Sequence, residues 1–311
     1  MIYDLIIVGG GPAGASAAVY AARKRLKTLM VLEEWGGQSN VSENIQNWIG
    51  TPSISGAELA KALKAHVNAY AGEYLEIRTP LRATAVTPNE GSISVTLSNA
   101  ETVEGLALFV ATGANRRKLP ALGADEFEHK GLTYCASCDG PLFADQDVVV
   151  IGGGNAAFET ALQLLAYCKT VSLINRSEEF RADEITVAAA KMNPKMRIIT
   201  NAETTAVVGE KFVNGLTYKD LKTNTETTLP VTGIFVEIGL IPNSAWLGTT
   251  VALTQTQQIV VDPLTQRTSH PRIWAAGDIT DGIYHQNNIA SGDAVKALED
   301  IYVAVRKNKA A

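Results

Sequence analysis

Residues 4–14 read DLIIVGGGPAG, a short apolar run that enters a glycine-rich turn. The run at 4–8 is typical of a buried parallel strand, and the alanine-rich segment that follows predicts a helix over 15–27. A second apolar run, at 28–33, predicts the next strand and ends in a carboxylate. The pattern G-x-G-x-x-G at 9–14 therefore lies between a strand and a helix, which is the context that a dinucleotide site requires.

Glycines in such a turn allow the backbone to approach a pyrophosphate, whose charge is stabilised at the helix N-terminus. The turn residues predicted to contact a dinucleotide are Gly9, Gly11, Pro12, Ala13 and Gly14. Glu33, at the end of the second strand, is predicted to bind ribose hydroxyls, and a solvated strand end is the alternative reading.

The same arrangement recurs in the middle of the chain. Residues 147–151 predict a strand, 152–157 (GGGNAA) form the turn G-x-G-x-x-A, and a helix over 158–168 and a strand over 170–175 follow. Two such units favour two dinucleotide cofactors, most simply a flavin and a nicotinamide that exchange hydride. The contacts predicted in the second turn are Gly152, Gly154, Asn155 and Ala156.

The two units differ at the position that recognises the ribose. Glu33 lies 22 residues after Gly11, and the residue at the same offset from Gly154 is Arg176. A carboxylate there binds a free 2′-hydroxyl, whereas a cation suits a 2′-phosphate. The second unit is therefore predicted to prefer NADPH to NADH.

The C-terminal part indicates which unit binds the flavin. Residues 273–278 (IWAAGD) predict a strand ending in Gly277 and Asp278, and a helix is predicted over 287–306. In flavoproteins with two dinucleotide folds, such a strand returns to the flavin domain and its aspartate meets the ribityl chain. The following helix can point its N-terminus at the flavin. The first unit is therefore predicted to bind the flavin, and a helix cap is the alternative role of Asp278.

Composition argues against several other classes. The 311 residues exceed one ordinary domain, so two are expected. A net charge of −5 without a lysine and arginine stripe argues against nucleic acid, and no apolar run is long enough to span a bilayer. The N-terminus lacks the positive segment of a signal peptide. Three cysteines form no secreted disulfide framework, so a cytoplasmic location is expected.

Cys135 and Cys138, in the stretch LTYCASCDGPLF at 132–143, have three readings. They can form a redox disulfide, belong to a metal site or be two buried neighbours, and their spacing alone leaves all three open. A zinc site would need two further ligands, and the sequence has no second C-x-x-C. Cys168, late in an apolar predicted helix, is expected to be a buried small side chain.

Six motifs occur in one order: 9–14, 36–38 (GGQ), 111–114 (ATGA), 135–140 (CASCDG), 152–157 and 275–278 (AAGD). Together they resemble the low-molecular-weight thioredoxin reductases, FAD-dependent class II pyridine nucleotide-disulfide oxidoreductases, over essentially the whole chain. The resemblance implies an α/β fold of two Rossmann-like, three-layer ββα-type domains, the second inserted into the first. The FAD domain would comprise 1–114 and 246–311, and the pyridine-nucleotide domain, which carries the cysteine pair, 115–245.

The resemblance also implies a thioredoxin-disulfide reductase. Electrons would pass from NADPH through FAD to a Cys135–Cys138 redox disulfide, and on to thioredoxin or a similar small redox protein. Asp139 would manage protons as thiol and thiolate interchange, with a turn or N-cap as its alternative role. Which cysteine attacks the partner stays open. A homodimer is implied, as is a large rotation between the domains about hinges near 113–122 and 241–248.

Further flavin contacts carry over from the family. They are Gly37, Gln38, Asn47 in the segment ENIQNW (43–48), Thr112, Gly113 and Gln286, together with His285. His285 stands where the family has an arginine; it can titrate near neutrality or only pack and hydrogen-bond.

The donor site departs from the family. Its NADPH fingerprint is H-R-R-x-x-F-R-A, and residues 175–182 here read NRSEEFRA. Asn175 and Ser177 replace a histidine and an arginine, while Arg176 and Arg181 remain as the NADPH contacts. Because an arginine–phosphate contact is strong and two glutamates add negative charge, NADPH should bind more weakly. NADH, or a donor such as reduced ferredoxin, stays open as an alternative.

Three other functions can be weighed. Dithiol oxidases of this architecture usually carry a proline between the cysteines, where this chain has Ala136 and Ser137. Flavoproteins of the alkyl hydroperoxide reductase type, which feed peroxiredoxins, have an extra N-terminal thioredoxin-like region, expected to be absent here because the first strand begins at residue 4. A flavin-loaded sensor or binding module would not need both an intact C-x-x-C-D and a nucleotide turn.

Overall fold

The computed structural model describes residues 2–42 and 45–310. The chain divides into two compact units, one formed by Met1–Asn115 with Ile241–Ala311 and the other by Arg116–Leu240. The chain re-enters the first unit at Ile241, earlier than the predicted boundary at 246. Asn243 is hydrogen-bonded to Thr112 of the first unit. Its side-chain amide donates to the Thr112 carbonyl (2.9 Å), and the Thr112 hydroxyl donates to the Asn243 carbonyl (3.0 Å).

In chain order, the helices and strands are β1 (Ile2–Tyr3), β2 (Leu5–Val8), α1 (Pro12–Arg23), β3 (Thr28–Val31), α2 (Gly56–Asn68), β4 (Leu75–Arg78), β5 (Ala83–Pro88), β6 (Ile93–Leu97), β7 (Thr102–Gly105), β8 (Leu108–Val110), β9 (Ala114–Arg116), β10 (Leu132–Thr133), α3 (Ala136–Asp139), β11 (Asp147–Ile151), α4 (Asn155–Leu165), β12 (Thr170–Ile174), α5 (Glu184–Met192), β13 (Met196–Ile199), β14 (Ala202–Gly209), β15 (Val213–Asp220), β16 (Glu226–Leu229), β17 (Gly233–Val236), β18 (Leu240–Pro242), β19 (Ile273–Ala275) and α6 (Asn287–Ala310). Short 3₁₀ helices span Gly37–Val41, Gly140–Phe143 and Ala245–Leu247.

The first unit has three layers. Its central sheet has the parallel order β19-β8-β2-β3-β4, and a second sheet has the order β1-β7-β6-β5. Leu5 and Ile7 of β2 pack with the apolar faces of α1 and α6, while Ile6 and Val8 pack with the second sheet. Both faces of β2 are thus buried, which explains its continuous apolar sequence.

The second unit repeats this architecture. Its parallel sheet has the order β10-β17-β11-β12-β13, and its antiparallel sheet has the order β14-β15-β16. Val148 and Val150 face α4 and α5, and Val149 and Ile151 face the antiparallel sheet. The predicted α/β class with two Rossmann-like domains is confirmed.

Both dinucleotide helices begin earlier than the sequence predicted. Helix α1 begins at Pro12 instead of residue 15, because proline fits the first helical position, and it ends at Arg23 instead of residue 27. Arg25 has a left-handed backbone (φ 55°), which stops the helix there. Helix α4 begins at Asn155, directly after Gly154, instead of at residue 158.

In the part of the chain that the structure describes, no helix has both the length and the apolar composition needed to cross a membrane. Over the same residues, no group of three or more histidine, cysteine or acidic side chains could hold a metal ion.

Candidate functional site

The first glycine turn joins β2 to α1 and contains glycines of two kinds. A Cβ added to Gly9 (φ 126°) would lie 2.1 Å from the Ala111 carbonyl oxygen, and one added to Gly14 would lie 2.0 Å from the Gly9 carbonyl oxygen. These two glycines are needed for the fold of the turn itself. A Cβ on Gly11 would have Gly37 Cα, 4.0 Å away, as its nearest neighbour, so this backbone faces open space that a ligand can use.

The N-terminus of α1 is available to an anion. Gly11 is its N-cap, and among the described residues no side chain accepts a hydrogen bond at this end and no acidic residue lies in its first turn. The free backbone N–H groups and the helix dipole favour a phosphate at such a position.

Glu33, predicted to bind ribose hydroxyls, follows β3 and is exposed. Its Oε2 lies 3.5 Å from Nε of Arg82, so this carboxylate has a cation beside it. An exposed pair of this kind is weak and leaves the carboxylate able to exchange partners.

A polar network joins two distant segments that carry predicted flavin contacts. Asn47 Nδ2 donates to Gln286 Oε1 (2.9 Å), and Asn288 Nδ2 donates to the Asn47 carbonyl (2.6 Å). Ser39 Oγ donates to Asn287 Oδ1 (2.7 Å). The structure therefore brings Asn47 and Gln286, which are 239 residues apart, together at the N-terminus of α6. The first two residues of the ENIQNW segment, 43 and 44, lie outside the described residues.

A small cavity lies beside this network. Its volume is about 130 Å³, and its lining includes Gly277, Asp278, Thr280, Tyr284, Gln286 and Ala290. Asp278 Oδ1 lies 3.4 Å from Nδ1 of His285, so the predicted ribityl contact and the family-divergent histidine are neighbours. Asp278 is nine positions before the first residue of α6, so its alternative role as the cap of this helix is wrong.

The remaining flavin-side predictions lie in the same unit. Thr112 uses its hydroxyl to bind the Asn243 carbonyl, so its side chain is fixed within the protein. Gly113 (φ 63°) has no described atom within 4 Å of an added Cβ. Gly37 is in the 3₁₀ helix after β3 and faces Gly11, and Gln38 beside it is exposed.

The second glycine turn, between β11 and α4, also contains glycines that the fold requires and one that faces open space. A Cβ on Gly152 (φ 146°) would lie 2.3 Å from the Glu237 carbonyl oxygen, and one on Gly153 would lie 2.3 Å from Asn175 Oδ1. Around Gly154, nothing in the described chain comes within 4 Å of an added Cβ. As at α1, no described side chain caps the start of α4, which suits a phosphate.

Asn175, where the family fingerprint has histidine, has a structural role. It is buried, and its Nδ2 donates to the carbonyls of Ser177 and Glu179, at 2.9 Å each. This holds the loop after β12 against the glycine turn, where the Arg181 N–H also donates to the Gly153 carbonyl (2.8 Å). Asn155 Oδ1 accepts from the Asp183 N–H (2.8 Å) and fixes the other side of the loop.

The charges on this loop are more favourable to an anion than the sequence indicated. Glu178, counted above as added negative charge, forms an ion pair with Lys222 at 2.9 Å. The Arg176 side chain is 79% exposed and has only a loose contact with Glu203, at 3.9 Å. Its guanidinium is therefore able to turn toward a bound phosphate.

Cys135 and Cys138 are joined by a disulfide, and their Cα atoms are 5.3 Å apart. Cys135 is the N-cap of the short helix α3, and the Asp139 N–H donates to the Cys135 carbonyl (3.0 Å). Asp139 precedes the 3₁₀ helix Gly140–Phe143, but its side chain makes no capping hydrogen bond to that helix and contacts the Thr133 hydroxyl instead. The third cysteine, Cys168, is buried; burial raises the pKa of its thiol to about 11.

Glu237, whose side chain is only 11% exposed, is a largely buried carboxyl that the sequence did not single out. It follows β17, directly under Gly152, and its Oε1 accepts a hydrogen bond from the Thr160 hydroxyl (3.0 Å). Oε2 lies 3.8 Å from Nη1 of Arg116. Burial raises the pKa of the Glu237 carboxyl, and Arg116 and Thr160 oppose this only in part. An acidic residue after an apolar strand gives no signal of burial.

We expect Glu237→Gln to stabilise the protein at neutral pH but not in acid. A carboxyl with a raised pKa contributes stability below its unfolded pKa, about 4.3, and loses it as the pH rises through the folded value. Melting temperatures at pH 8 should show a gain for the variant, worth up to about 1 kcal/mol, and at pH 4 no gain. A loss at pH 8 would mean that the pair with Arg116 outweighs the cost of burying the charge.

Residues 3–306 match the family described as pyridine nucleotide-disulphide oxidoreductase, and the chain belongs to this family. It is an oxidoreductase and a flavoprotein, and its fold is that of the low-molecular-weight thioredoxin reductases. Thioredoxin reductase from Streptococcus pyogenes MGAS5005 is 30% identical, with a TM-score of 0.88 over 98% of this chain and 99% of that one. The T. acidophilum enzyme is 34% identical, with a TM-score of 0.66 over 97% and 98%.

Curated relatives include the F subunit of alkyl hydroperoxide reductase from Staphylococcus aureus (strain NCTC 8325 / PS 47). It is 40% identical over 306 residues, which are 98% of this chain but 60% of the relative. The chain therefore spans three-fifths of the length of this relative.

The family implies FAD and a pyridine nucleotide, and the two turns fit such groups. Each turn pairs glycines that the fold itself requires with one glycine, Gly11 or Gly154, that faces open space at an uncapped helix start. A dinucleotide pyrophosphate needs this combination.

Proposed function

We propose that the protein is an FAD-dependent disulfide reductase that acts in the cytoplasm on thioredoxin or a thioredoxin-like protein, with NADPH as donor. The observation that carries the proposal is the Cys135–Cys138 disulfide, which lies in the same unit as the second dinucleotide turn and directly before Asp139. Bound FAD would supply the hydride exchange between the nicotinamide and the disulfide.

The proposed residue roles follow the chemistry of each group. In the first unit, the Gly9–Gly14 turn and α1 bind the FAD pyrophosphate, Glu33 binds its ribose, and Asp278 and Gln286 bind near the flavin end. In the second unit, the Gly152–Ala157 turn binds the nucleotide pyrophosphate.

The cysteine pair does the exchange with the partner. One thiolate attacks the partner's disulfide, a mixed disulfide forms, and the second cysteine breaks it to restore the Cys135–Cys138 bond. Two electrons and two protons thereby move to the partner's sulfurs. The Asp139 carboxylate can accept a proton from a cysteine thiol and return it to the leaving partner thiolate.

NADPH is proposed over NADH because Arg176 and Arg181 remain on a loop whose Glu178 is paired with Lys222. The decisive experiment mixes oxidised, FAD-loaded protein anaerobically with NADPH, and separately with NADH, and follows the visible flavin absorbance. Bleaching by NADPH supports the proposal, and bleaching by NADH alone changes the donor but keeps the mechanism. If neither bleaches the flavin, the NADPH proposal is wrong, and reduced ferredoxin becomes the donor to test.

A second candidate is a reductase that serves a peroxiredoxin, favoured by the 40% identity to the F subunit of alkyl hydroperoxide reductase. The partner can be identified by supplying oxidised thioredoxin or an oxidised peroxiredoxin in matched donor-consumption assays. Direct turnover of the peroxiredoxin without thioredoxin would favour this candidate.

We also propose that the protein is a homodimer, which light scattering can test. Hinge rotation at the crossings between the units is proposed as well, and donor-dependent changes in small-angle scattering can test it.

Ser177→Arg is expected to improve NADPH use. Ser177 is exposed, and its hydroxyl donates to the Glu179 carbonyl (2.9 Å) and accepts from Asn175 Nδ2 (3.2 Å). Because Asn175 also donates to two backbone carbonyls of this loop, an arginine can be accommodated at residue 177. A third guanidinium, beside those of Arg176 and Arg181, should lower the KM for NADPH about fivefold to tenfold and leave that for NADH unchanged. Ser177→Ala controls for loss of the hydroxyl. Equal changes for both nucleotides would place residue 177 away from the 2′-phosphate.

A further inference from the structure

We propose that Thr133 is a positioning residue for the disulfide chemistry: its single hydroxyl links Cys135 to the Asp139 carboxylate. Both residues belong to the segment CASCDG at 135–140, which we call the redox turn. The inference rests on the proposed function, because it assigns Thr133 a part in the proton transfers of the Cys135/Cys138 pair.

The position of Thr133 is fixed by the central sheet of the second unit. It is the last residue of β10 and pairs with Phe235 of β17 in a parallel ladder. Its side chain is buried, with 5% exposure. A hydroxyl held by a sheet on one side and by the redox turn on the other has little freedom to find other partners.

The hydroxyl makes two contacts with opposite roles. It accepts a hydrogen bond from the Cys135 N–H at 3.2 Å, and it is hydrogen-bonded to Oδ2 of Asp139. An ionised carboxylate can only accept, so the hydroxyl must donate its one proton to Asp139 while its lone pair receives the Cys135 N–H. One atom thus orients both the N-cap of the redox turn and the group proposed to carry its proton.

This geometry favours the charged form of Asp139, because a hydrogen bond donated to a carboxylate stabilises the ionised state. When Asp139 takes a proton from a thiol, the Thr133 hydroxyl donates to a neutral carboxyl instead of a carboxylate, and this hydrogen bond is weaker. Thr133 therefore affects how readily Asp139 accepts and returns the proton, without contacting the partner's disulfide.

The turn has other supports, so the hydroxyl can be removed without collapsing it. Gln163 of α4 donates to the Ala136 carbonyl (3.2 Å), and the Tyr167 hydroxyl lies against Gly140. Tyr167 also faces the turn; burial raises the pKa of its hydroxyl, which keeps it neutral over the pH range of the test.

The test uses the full chain with its disulfide reduced chemically, and measures the rate of cysteine alkylation by iodoacetamide against pH. Because neighbouring groups titrate as a coupled system, ionisation of Asp139 should appear as a separate step on the acid side of this profile. Cys168 can be followed separately by mass spectrometry, since it is fully buried with a thiol pKa of about 11.

We expect Thr133→Val to move the acid step up by roughly half to one pH unit, because the carboxylate loses a donor. Thr133→Ser should leave the step in place, and Asp139→Asn should abolish it. In Asp139→Asn, adding Thr133→Val should cause no further change. Thr160→Val is the matched control, because that buried hydroxyl donates to Glu237 instead.

The proposal is overturned if the parent protein shows no acid step, if Thr133→Val leaves the step unmoved, or if it shifts the Asp139→Asn profile as well. Thr133→Ala, which also lacks the hydroxyl, replaces the valine variant if that protein fails to fold. With a working partner assay, loss of the hydroxyl should lower kcat about tenfold with KM within about twofold, and serine should restore it.

The two proposals fail in different ways. If the parent protein reduces no disulfide with any donor but the acid step still moves in Thr133→Val, the proposed function is wrong and the positioning role stands. If turnover is normal and the step does not move, the positioning role is wrong and the function stands.

Discussion

Replacing Cys138 by serine is expected to lower disulfide reduction by about a thousandfold or more while FAD stays bound. The Cys135–Cys138 disulfide cannot form in this variant, so the exchange loses the bond that accepts two electrons from the flavin and is restored when they pass to the partner. The flavin contacts proposed above all lie in the other unit, so the visible flavin spectrum of the purified protein should be retained. Donor-dependent reduction of thioredoxin, measured beside flavin content, checks both parts.

Cys168→Ser is the matched control for this change. Cys168 is buried and its thiol faces the Phe143 carbonyl at 3.3 Å, away from the redox pair in sequence and unbonded to it. This variant should turn over at close to the parent rate, with at most a modest loss of stability. Normal turnover by Cys138→Ser would refute the redox role of the disulfide.

Alanine at Gly11 and at Gly154 should separate the two cofactors. Both residues have ordinary negative φ values, −77° and −99°, and an alanine Cβ at either would meet no described atom closer than 4.0 Å. The fold therefore accepts the methyl group, but a pyrophosphate lying against the turn does not. Gly11→Ala should be purified folded and largely without flavin. Gly154→Ala should keep flavin and lose about 100-fold in the rate of its reduction by nucleotide.

The neighbouring glycines provide a contrast for this pair. Alanine at Gly9 or Gly152 would require a left-handed backbone and place Cβ within 2.3 Å of a carbonyl oxygen, so those variants should lose stability whether or not a ligand binds. Circular dichroism, flavin content and anaerobic flavin reduction distinguish the two classes. Unchanged nucleotide reduction by Gly154→Ala would remove the second turn from the nucleotide site.

The dinucleotide turns could be predicted from sequence because their causes are local. The spacing of Gly9, Gly11 and Gly14 is dictated by a tight strand-to-helix turn, and the structure shows the same steric reasons within a few residues. The apolar strands were equally predictable, because a strand that is buried on both faces has a continuous hydrophobic sequence. The helix starts were misplaced because residues after a glycine turn can enter the helix at once, as Pro12 does.

The rest of the site depends on partners that sequence spacing does not reveal. Asn47 contacts Gln286 only because the chain returns to the first unit after the whole second unit. The sequence around either residue does not predict this contact. The pairing of Glu178 with Lys222 likewise offsets one of the two negative charges inferred from the loop alone. In the sequence, Thr133 has the pattern of an ordinary strand residue. Only the structure shows that its hydroxyl joins Cys135 to Asp139.

The packing of α1 against α6 has a consequence for the order of events during synthesis. The second unit is one continuous segment, so all its strands have left the ribosome before β19 and α6 are made. The first unit begins before the inserted unit, yet the helix that covers α1 and the strand that ends its parallel sheet are made after that unit. The face of α1 that packs against α6 therefore stays uncovered while the whole inserted unit is being made. The inserted unit can fold first, and the first glycine turn reaches its finished surroundings only after α6 has been made.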